Sequence, residues 1–324
     1  MKITDYLRLD RPDQFEYARQ LGIKYAVGRL PDGKMEEYAR SYDKLEALKT
    51  EYEKRGFDLK IIEPAPPNQK IKLGLDGKDE EIGNMITLIE NMGKLGIEVL
   101  CFNFVAYFNW VRTRYDVSER GGAKVTGYYH SDIDHSVITE VGEVTREKLW
   151  ENLTYMLKAI VPVAEKAGVK LAIHPDDPPV PQIRHIGRIL TSADAVEKAI
   201  NAVPSKNLGI TLCQGTFAAM GENIENVIDR FNGKTFFVHF RNVSDANPYE
   251  FHETFHDNGL IDMAKCIKKY VSCGFDGYIR VDHVPTMYGE KNELPGYEAL
   301  GRLYAIGYLR GLIEATENAL NETV

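Results

Sequence analysis

Five times in this chain an amphipathic stretch ends in a glycine and passes at once into a short apolar run: Gln20-Leu21-Gly22-Ile23, Lys54-Arg55-Gly56-Phe57, Lys94-Leu95-Gly96-Ile97, Lys166-Ala167-Gly168-Val169 and Ser272-Cys273-Gly274-Phe275. Glycine just past a helix supplies the left-handed backbone that ends it, and the basic residues in several last turns suit the helix dipole. Each recurrence is therefore a helix-to-strand joint. The strands that follow are expected at Tyr25 to Val27, Leu59 to Ile62, Val99 to Phe102, Leu171 to Ile173 and Tyr278 to Val281. The runs Leu208 to Leu212 and Thr235 to Val238, with a weaker one at Phe251 to Phe255, bring the count to eight. Eight strands alternating with helices predict the α/β class and a closed (β/α)8 TIM barrel rather than an open doubly wound sheet. No GxGxxG follows the first expected strand, which tells further against a dinucleotide-binding sheet.

The intervening segments carry the helical period. Glu36 to Arg55 places Tyr38, Tyr42, Leu45 and Leu48 on one face, Leu149 to Ala167 does the same with Leu153, Met156, Leu157 and Ile160, and a last helix is expected from about Tyr297 to Ala319. At 324 residues, one barrel domain spanning 1–324 accounts for the whole chain. The formal net charge of −8, spread through the helical segments, offers no basic stripe for nucleic acid. No apolar run is long enough to span a membrane and no leader precedes the first helix, so a cytoplasmic protein is expected. Cys101, Cys213, Cys266 and Cys273 are scattered without a CxxC pair, which predicts reduced thiols, buried or bound to metal, and no disulfide framework.

Two stretches break the rhythm. Between Asn103 and Glu143, about forty residues show no helical stripe, longer than ordinary connections and typical of a functional lid. This segment, expected as a cap inserted after the third strand, holds Tyr107, Phe108, Trp110, Arg112, Tyr115, Tyr128, Tyr129 and His130. A hairpin subdomain or a contact within a homo-oligomer is the alternative use of it. The second break, Pro64 to Gly77, is proline-rich and then basic, and reads as another rim loop.

The first residues past the later strands carry chemistry. The run Lys170 to Ile173 ends in His174-Pro175-Asp176-Asp177-Pro178-Pro179, and Cys213, His239 and Asp282 follow three other runs. In a βα barrel the C-terminal ends of the strands share one face, which is where catalysis sits. Singly, Cys213 reads as a small buried hydrophobe, His239 as a core histidine and Asp282 as a helix cap. Together, two imidazoles, a thiolate and a carboxylate make a site for one divalent transition ion, with Mn, Fe(II), Co and Zn as candidates and Mg or Ca disfavoured.

These segments also carry a resemblance. Leu171 to Pro179, Leu212-Cys213-Gln214-Gly215-Thr216, Val238-His239-Phe240-Arg241-Asn242-Val243, Phe251-His252-Glu253-Thr254-Phe255-His256, Arg280-Val281-Asp282-His283 and Pro295-Gly296-Tyr297 resemble the ordered signature segments of the D-mannonate dehydratases. Cys101-Phe102-Asn103-Phe104, with Trp110, Arg112 and Thr113, is similar to that family's segment after the third expected strand. The resemblance implies a metal-dependent barrel, a hydro-lyase of hexuronate breakdown. It would convert D-mannonate to 2-keto-3-deoxy-D-gluconate, usually with Mn2+. It implies His174, Cys213, His239 and Asp282 as metal ligands, and His283 and Tyr297 as the proton-transfer residues.

The chemistry fits such residues. Removing a proton beside a carboxylate and expelling the neighbouring hydroxide calls for a Lewis acid and for a base and an acid flanking the substrate. Arg241, Arg280 and Arg112 are expected to bind the carboxylate, since a guanidinium pairs with it bidentately. Asn103 and His256, within matched segments, are further expected substrate contacts. The chain departs from the family pattern at Asn68-Gln69, where a His-Glu pair is usual, at Val281 and Val284 around Asp282-His283, and over its N-terminal segment. These departures touch the substrate rim more than the ligands. They keep open an action on another sugar acid, a sugar isomerase or epimerase, and a non-catalytic sugar-acid binding protein.

Overall fold

The computed structural model describes residues 1–321. Eight parallel strands close into a barrel, and we number these alone: β1 (Lys2–Tyr6), β2 (Tyr25–Gly28), β3 (Asp58–Ile62), β4 (Val99–Asn103), β5 (Lys170–His174), β6 (Leu208–Cys213), β7 (Thr235–Phe240) and β8 (Tyr278–Val281). Going round the ring, the order is β1-β8-β7-β6-β5-β4-β3-β2, closed by pairing of β1 with both β8 (Lys2 against Tyr278) and β2 (Thr4 against Tyr25). All five joint glycines, Gly22, Gly56, Gly96, Gly168 and Gly274, have positive φ. The rule that located the strands is thus the rule that turns the chain from helix into barrel.

One strand was assigned wrongly. The strand that completes the eight is β1, Lys2–Tyr6, and Phe251 to Phe255 is outside the barrel. Its residues 250–252 pair antiparallel with 124–129, Phe251 against Tyr128, in a three-stranded sheet with 114–118. The first strand escaped notice because it lacks an apolar run: its two most buried residues are the polar Thr4 and Asp5. Arg302 from the last helix answers the Asp5 carboxylate at 3.3 Å. With β1 counted, the long insertion follows the fourth barrel strand, and it contains the hairpin 114–118/124–129.

Apolar side chains pack in two shells. Val27, Ile61, Val99, Cys101, Ala172, Phe237 and Tyr278 fill the barrel interior, while the larger cluster lies between strands and helices. Helix 146–167 lays its predicted stripe there, and helix 299–321 contributes Ala305, Ile306 and Leu309, while Leu300 and Tyr304 are exposed. The stretch expected as one helix from Glu36 to Arg55 is two, 35–40 and 42–54. The chain extends at Ser41, whose hydroxyl caps the second by accepting from the Lys44 amide. Among the described residues no helix is long and apolar enough to cross a membrane.

Candidate active site

The parallel strands all end on one face, so the residues at their C-terminal ends converge there. His174 and Cys213 are the last residues of β5 and β6, His239 is the penultimate residue of β7, and Asp282 is the first residue past β8. Cys213 and His239 are register partners across neighbouring strands. The ligand-type atoms of His174, Cys213 and His239 all lie within 4.8 Å of one another. Asp282, the fourth expected ligand, stands outside that close group, with its Oδ2 3.7 Å from His239 Nδ1.

The side chains are prepared as donors. His174 Nδ1 donates to the Pro175 carbonyl at 2.6 Å, which leaves the Nε2 lone pair unshared. Burial pushes the His174 imidazole below its ordinary pKa, favouring the neutral form that binds metal. His239 is buried, yet among the described residues neither of its ring nitrogens has a hydrogen-bond partner. Buried polar atoms left this way are costly unless something else completes them, and a cation coordinated by nitrogen does so. Cys213 Sγ, fully buried, accepts from the Thr216 hydroxyl at 3.2 Å. Burial alone would raise the Asp282 carboxyl. Arg280, 2.7 Å from Oδ1, overrides it together with His283, His239 and Arg241 and holds the group well below the usual carboxylate range. The donor set therefore fits a divalent transition ion on its own terms.

A second acid stands beside this group. Glu63, directly past β3, lies 3.3 Å from His239 Nε2 and, with Cys101, forms an adjoining set around the same histidine. Burial opposes its ionisation, but Arg280 and His239 hold the carboxyl below its ordinary range. Applying the strand-end rule to the earlier strands as well as the later ones finds this residue in the sequence.

His283 and Tyr297 meet on the same wall. His283 Nε2 is 3.0 Å from the Tyr297 hydroxyl, and His283 Nδ1 faces Glu253 Oε1 at 2.9 Å and an Arg241 nitrogen. Burial raises the Tyr297 phenol well above its ordinary value, so it stays protonated. His283 adopts φ +30°, a left-handed backbone that non-glycine residues rarely accept and that recurs at functional sites. The Trp110 ring lies 5.0 Å from the His283 ring.

Both residues border a cavity of about 360 Å³ at the barrel mouth, together with His174, His239, Asp282 and Glu63. Of the expected substrate contacts, Asn103 and Arg280 line it. Arg112, Arg241 and His256 do not. Arg112 forks onto both oxygens of Asp177 at 2.6 and 2.9 Å and reaches Glu253 at 2.6 Å. Arg241 bridges the same two acids, at 2.9 and 3.0 Å. The four groups form a closed, buried box, and these arginines are spent inside it. His256 is fully buried with Nε2 on the Phe240 carbonyl at 2.7 Å, and burial pushes its imidazole down to about 4. Asp177 and Glu253 were missed as site residues. Asp176, its neighbour, is buried and accepts from the Ile189 and Leu190 amides at 2.8 and 3.1 Å. Asp177 points elsewhere, to the box.

The sequence profile of the family described as D-mannonate dehydratase (UxuA) matches residues 5–142 and 136–323. The chain belongs to the D-mannonate dehydratase family. It is 36% identical over 342 aligned positions to the mannonate dehydratase of Streptococcus uberis, covering 96% of this chain and 97% of that one. Against the mannonate dehydratase of Thermotoga neapolitana it is 35% identical, with 93% of each chain covered. The crystal structure of mannonate dehydratase from Streptococcus suis serotype 2 superposes with a TM-score of 0.88 at 32% identity, over 99% of this chain and 95% of that one. A xylose isomerase domain protein from Planctomyces limnophilus gives 0.62 at 12% identity over 98% of both chains, a likeness of fold alone. D-mannonate dehydratases are metal-dependent hydro-lyases, and the His174, Cys213 and His239 group is one of two in the described residues whose donor atoms lie close enough to hold an ion.

Proposed function

We propose that the cavity dehydrates D-mannonate to 2-keto-3-deoxy-D-gluconate, with His174, Cys213, His239 and Asp282 holding one divalent transition ion and His283 and Tyr297 moving the protons. The observation that carries this reading is the 3.0 Å contact between His283 and Tyr297 in the cavity that His174, His239 and Asp282 also line, with Cys213 close to both histidines. Mn2+ is the ion proposed, with Fe2+, Co2+ and Zn2+ as the alternatives that the same donors suit. When bound, the ion supplies Lewis acidity toward the charge that develops on the substrate as its C2 proton leaves.

The chain's own residues divide the rest. His283 Nε2 takes the C2 proton when Nδ1–H is directed at Glu253, which stabilises the imidazolium that results. Tyr297, kept protonated by burial, gives its proton to the hydroxide leaving C3. One water departs, and the remaining enol ketonises at C2. The Arg112–Asp177–Arg241–Glu253 box holds Glu253, and so the histidine, in place. We take residues 103–143 as a cap on a single domain, since Asn109 and Trp110 reach the cavity and Arg112 the box. The working compartment proposed is the cytoplasm, where the four unpaired cysteines stay reduced.

The test is incubation of the Mn2+-loaded protein with a panel of hexonates, followed by detection of a 2-keto-3-deoxy acid. Product from D-mannonate supports the proposal. Isomerisation or epimerisation without water loss, or binding with no turnover, would replace it.

A further inference from the structure

Four arginines line the cavity among the described residues: Arg8, Arg29, Arg280 and Arg302. Two are committed to buried acids. Arg280 lies on Glu63 and Asp282, and Arg302 on Asp5 and the Tyr6 carbonyl. The other two are held only by partners that face water. Arg8 forks onto Asp10 at 3.0 and 2.7 Å, and Arg29 meets Asp32, and both of these aspartates are 64% exposed. Ion pairs of that exposure contribute little, so an incoming anion displaces them at small cost. Arg29 Nε, moreover, is buried without an acceptor among the described residues.

Their position says which part of a substrate they meet. Arg8 stands two residues past β1 and Arg29 directly past β2. In the ring order β1 lies diametrically across from β5, which ends in His174, and β2 across from β6, which ends in Cys213. On the arginine side, at the end of β1, stands Tyr6, whose ring is 6.1 Å from that of Tyr297 and whose phenol, raised by burial, is pulled back by Arg29, Arg280 and Arg8. With its C1 carboxylate toward the proposed ion site and C2 and C3 at His283 and Tyr297, a sugar acid extends its far carbons toward Arg8 and Arg29. The hydroxymethyl group at C6 of a hexonate gives a guanidinium pair little to hold. A carboxylate or a phosphate there accepts bidentate, charge-assisted bonds.

We infer that Arg8 and Arg29 form a subsite for an anionic group at the far terminus of the substrate, so that the chain also dehydrates sugar acids carrying a second anion at C6. The elimination is unchanged: a proton leaves C2, hydroxide leaves C3, water is released and the enol ketonises. The inference rests on the dehydratase reading for its orientation and names the substrate class of that site.

The experiment compares D-mannonate, the corresponding hexarate and the 6-phosphohexonate on the Mn2+-loaded protein, by kcat/KM for 2-keto-3-deoxy product and by calorimetric Kd. At least one dianion is expected to exceed the hexonate by about tenfold or more, the size of one charge-assisted contact, and the two arms separate carboxylate from phosphate. In the Arg8→Gln/Arg29→Gln protein that ratio should fall toward one through KM and Kd, with Arg29→Lys recovering part of it. A loss of kcat alike for all three compounds would mean a structural role and would overturn the inference. So would turnover of D-mannonate with no preference for either dianion. Failure of the dehydratase reading looks different, because no compound then gives product. Calorimetry still decides in that case: tighter dianion binding that depends on Arg8 and Arg29 supports the subsite, and equal binding of all three compounds refutes it.

Discussion

His283 Nε2 and the Tyr297 hydroxyl are 3.0 Å apart, and the opposite nitrogen of the same imidazole is 2.9 Å from Glu253. One side of the ring is thus oriented by a carboxylate while the other meets a phenol at the cavity wall. Groups placed this way and used for proton transfer contribute about a hundredfold to ten-thousandfold to turnover. His283→Asn and Tyr297→Phe should each lower kcat within that range while keeping bound metal and nearly the same substrate affinity. If Tyr297 only packs the last helix, its phenylalanine variant will run at close to full rate, and steady-state kinetics on metal-replete protein decide between the two.

The ligand set makes a separate prediction. Protein prepared without chelators should carry close to one transition ion per chain by elemental analysis, and Cys213→Ser and His239→Gln should each carry much less under the same conditions. Because the ion binds only the folded site, removing it with a chelator should lower Tm and restoring it should raise Tm, with a shift that grows with metal concentration. A His239→Gln protein that holds metal as well as the parent chain would remove His239 from the set.

The strand-end logic made much of this legible without a structure. Left-handed glycines marked five joints, and polar residues just past buried apolar runs named three mutually close donors, His174, Cys213 and His239, on one face. What it missed has physical causes. Lys2–Tyr6 buries Thr4 and Asp5, so a barrel strand carried no apolar signal. Arg112 and Arg241 have the chemistry of carboxylate clamps, and only their spatial neighbours Asp177 and Glu253, 65 and 12 residues away in the chain, show that the clamp is already filled. Arg8 stands past that same silent strand, and Arg29, directly past β2, shows its place only when the cavity lining is in view.

The buried box predicts an asymmetry in stability. Glu253 is fully buried and accepts from both Arg112 and Arg241. Removing one partner of such a set leaves buried charge uncompensated and costs about 3–5 kcal/mol, far more than an exposed pair. Glu253→Gln should therefore lower unfolding free energy by roughly that amount in urea, whereas Glu151→Gln, which loses only the exposed pair with Lys148, should change it by about 0–1 kcal/mol. Equal midpoints for the two variants would mean that the box contributes nothing to folding.

The cap proposal has its own readout. If residues 103–143 cover the cavity, saturating D-mannonate should slow amide exchange in this segment more than in the helices on the outer face of the barrel, because lids belong to the less stable parts of a fold. Unaltered exchange at saturation would leave the segment a structural hairpin.

Lys72 provides a pH dependence that can be isolated. It sits on the rim helix 69–73, is buried, and donates from Nζ to Asn103 Oδ1 at 3.0 Å. Burial pushes its ammonium down to about 7, against the pull of Asp176 and Glu81 and with the help of Arg188. In the unfolded chain the same group titrates near the ordinary lysine value, about 10.4. Between these two values the unfolded state binds more protons than the folded one, so unfolding free energy rises with pH across the interval from about 7 to about 10. Below that window both states are protonated and the full penalty of burying the charge is present. The gain between pH 7 and 9 is on the order of 2 kcal/mol from this residue alone. Other groups titrate over the same range, so the measurement is a difference: urea midpoints of the parent chain and of Lys72→Met at both pH values. The parent should gain stability relative to the variant as pH rises. A difference that stays constant, or moves the other way, would show that Lys72 remains charged in the folded protein, with Asp176 and Glu81 outweighing its burial.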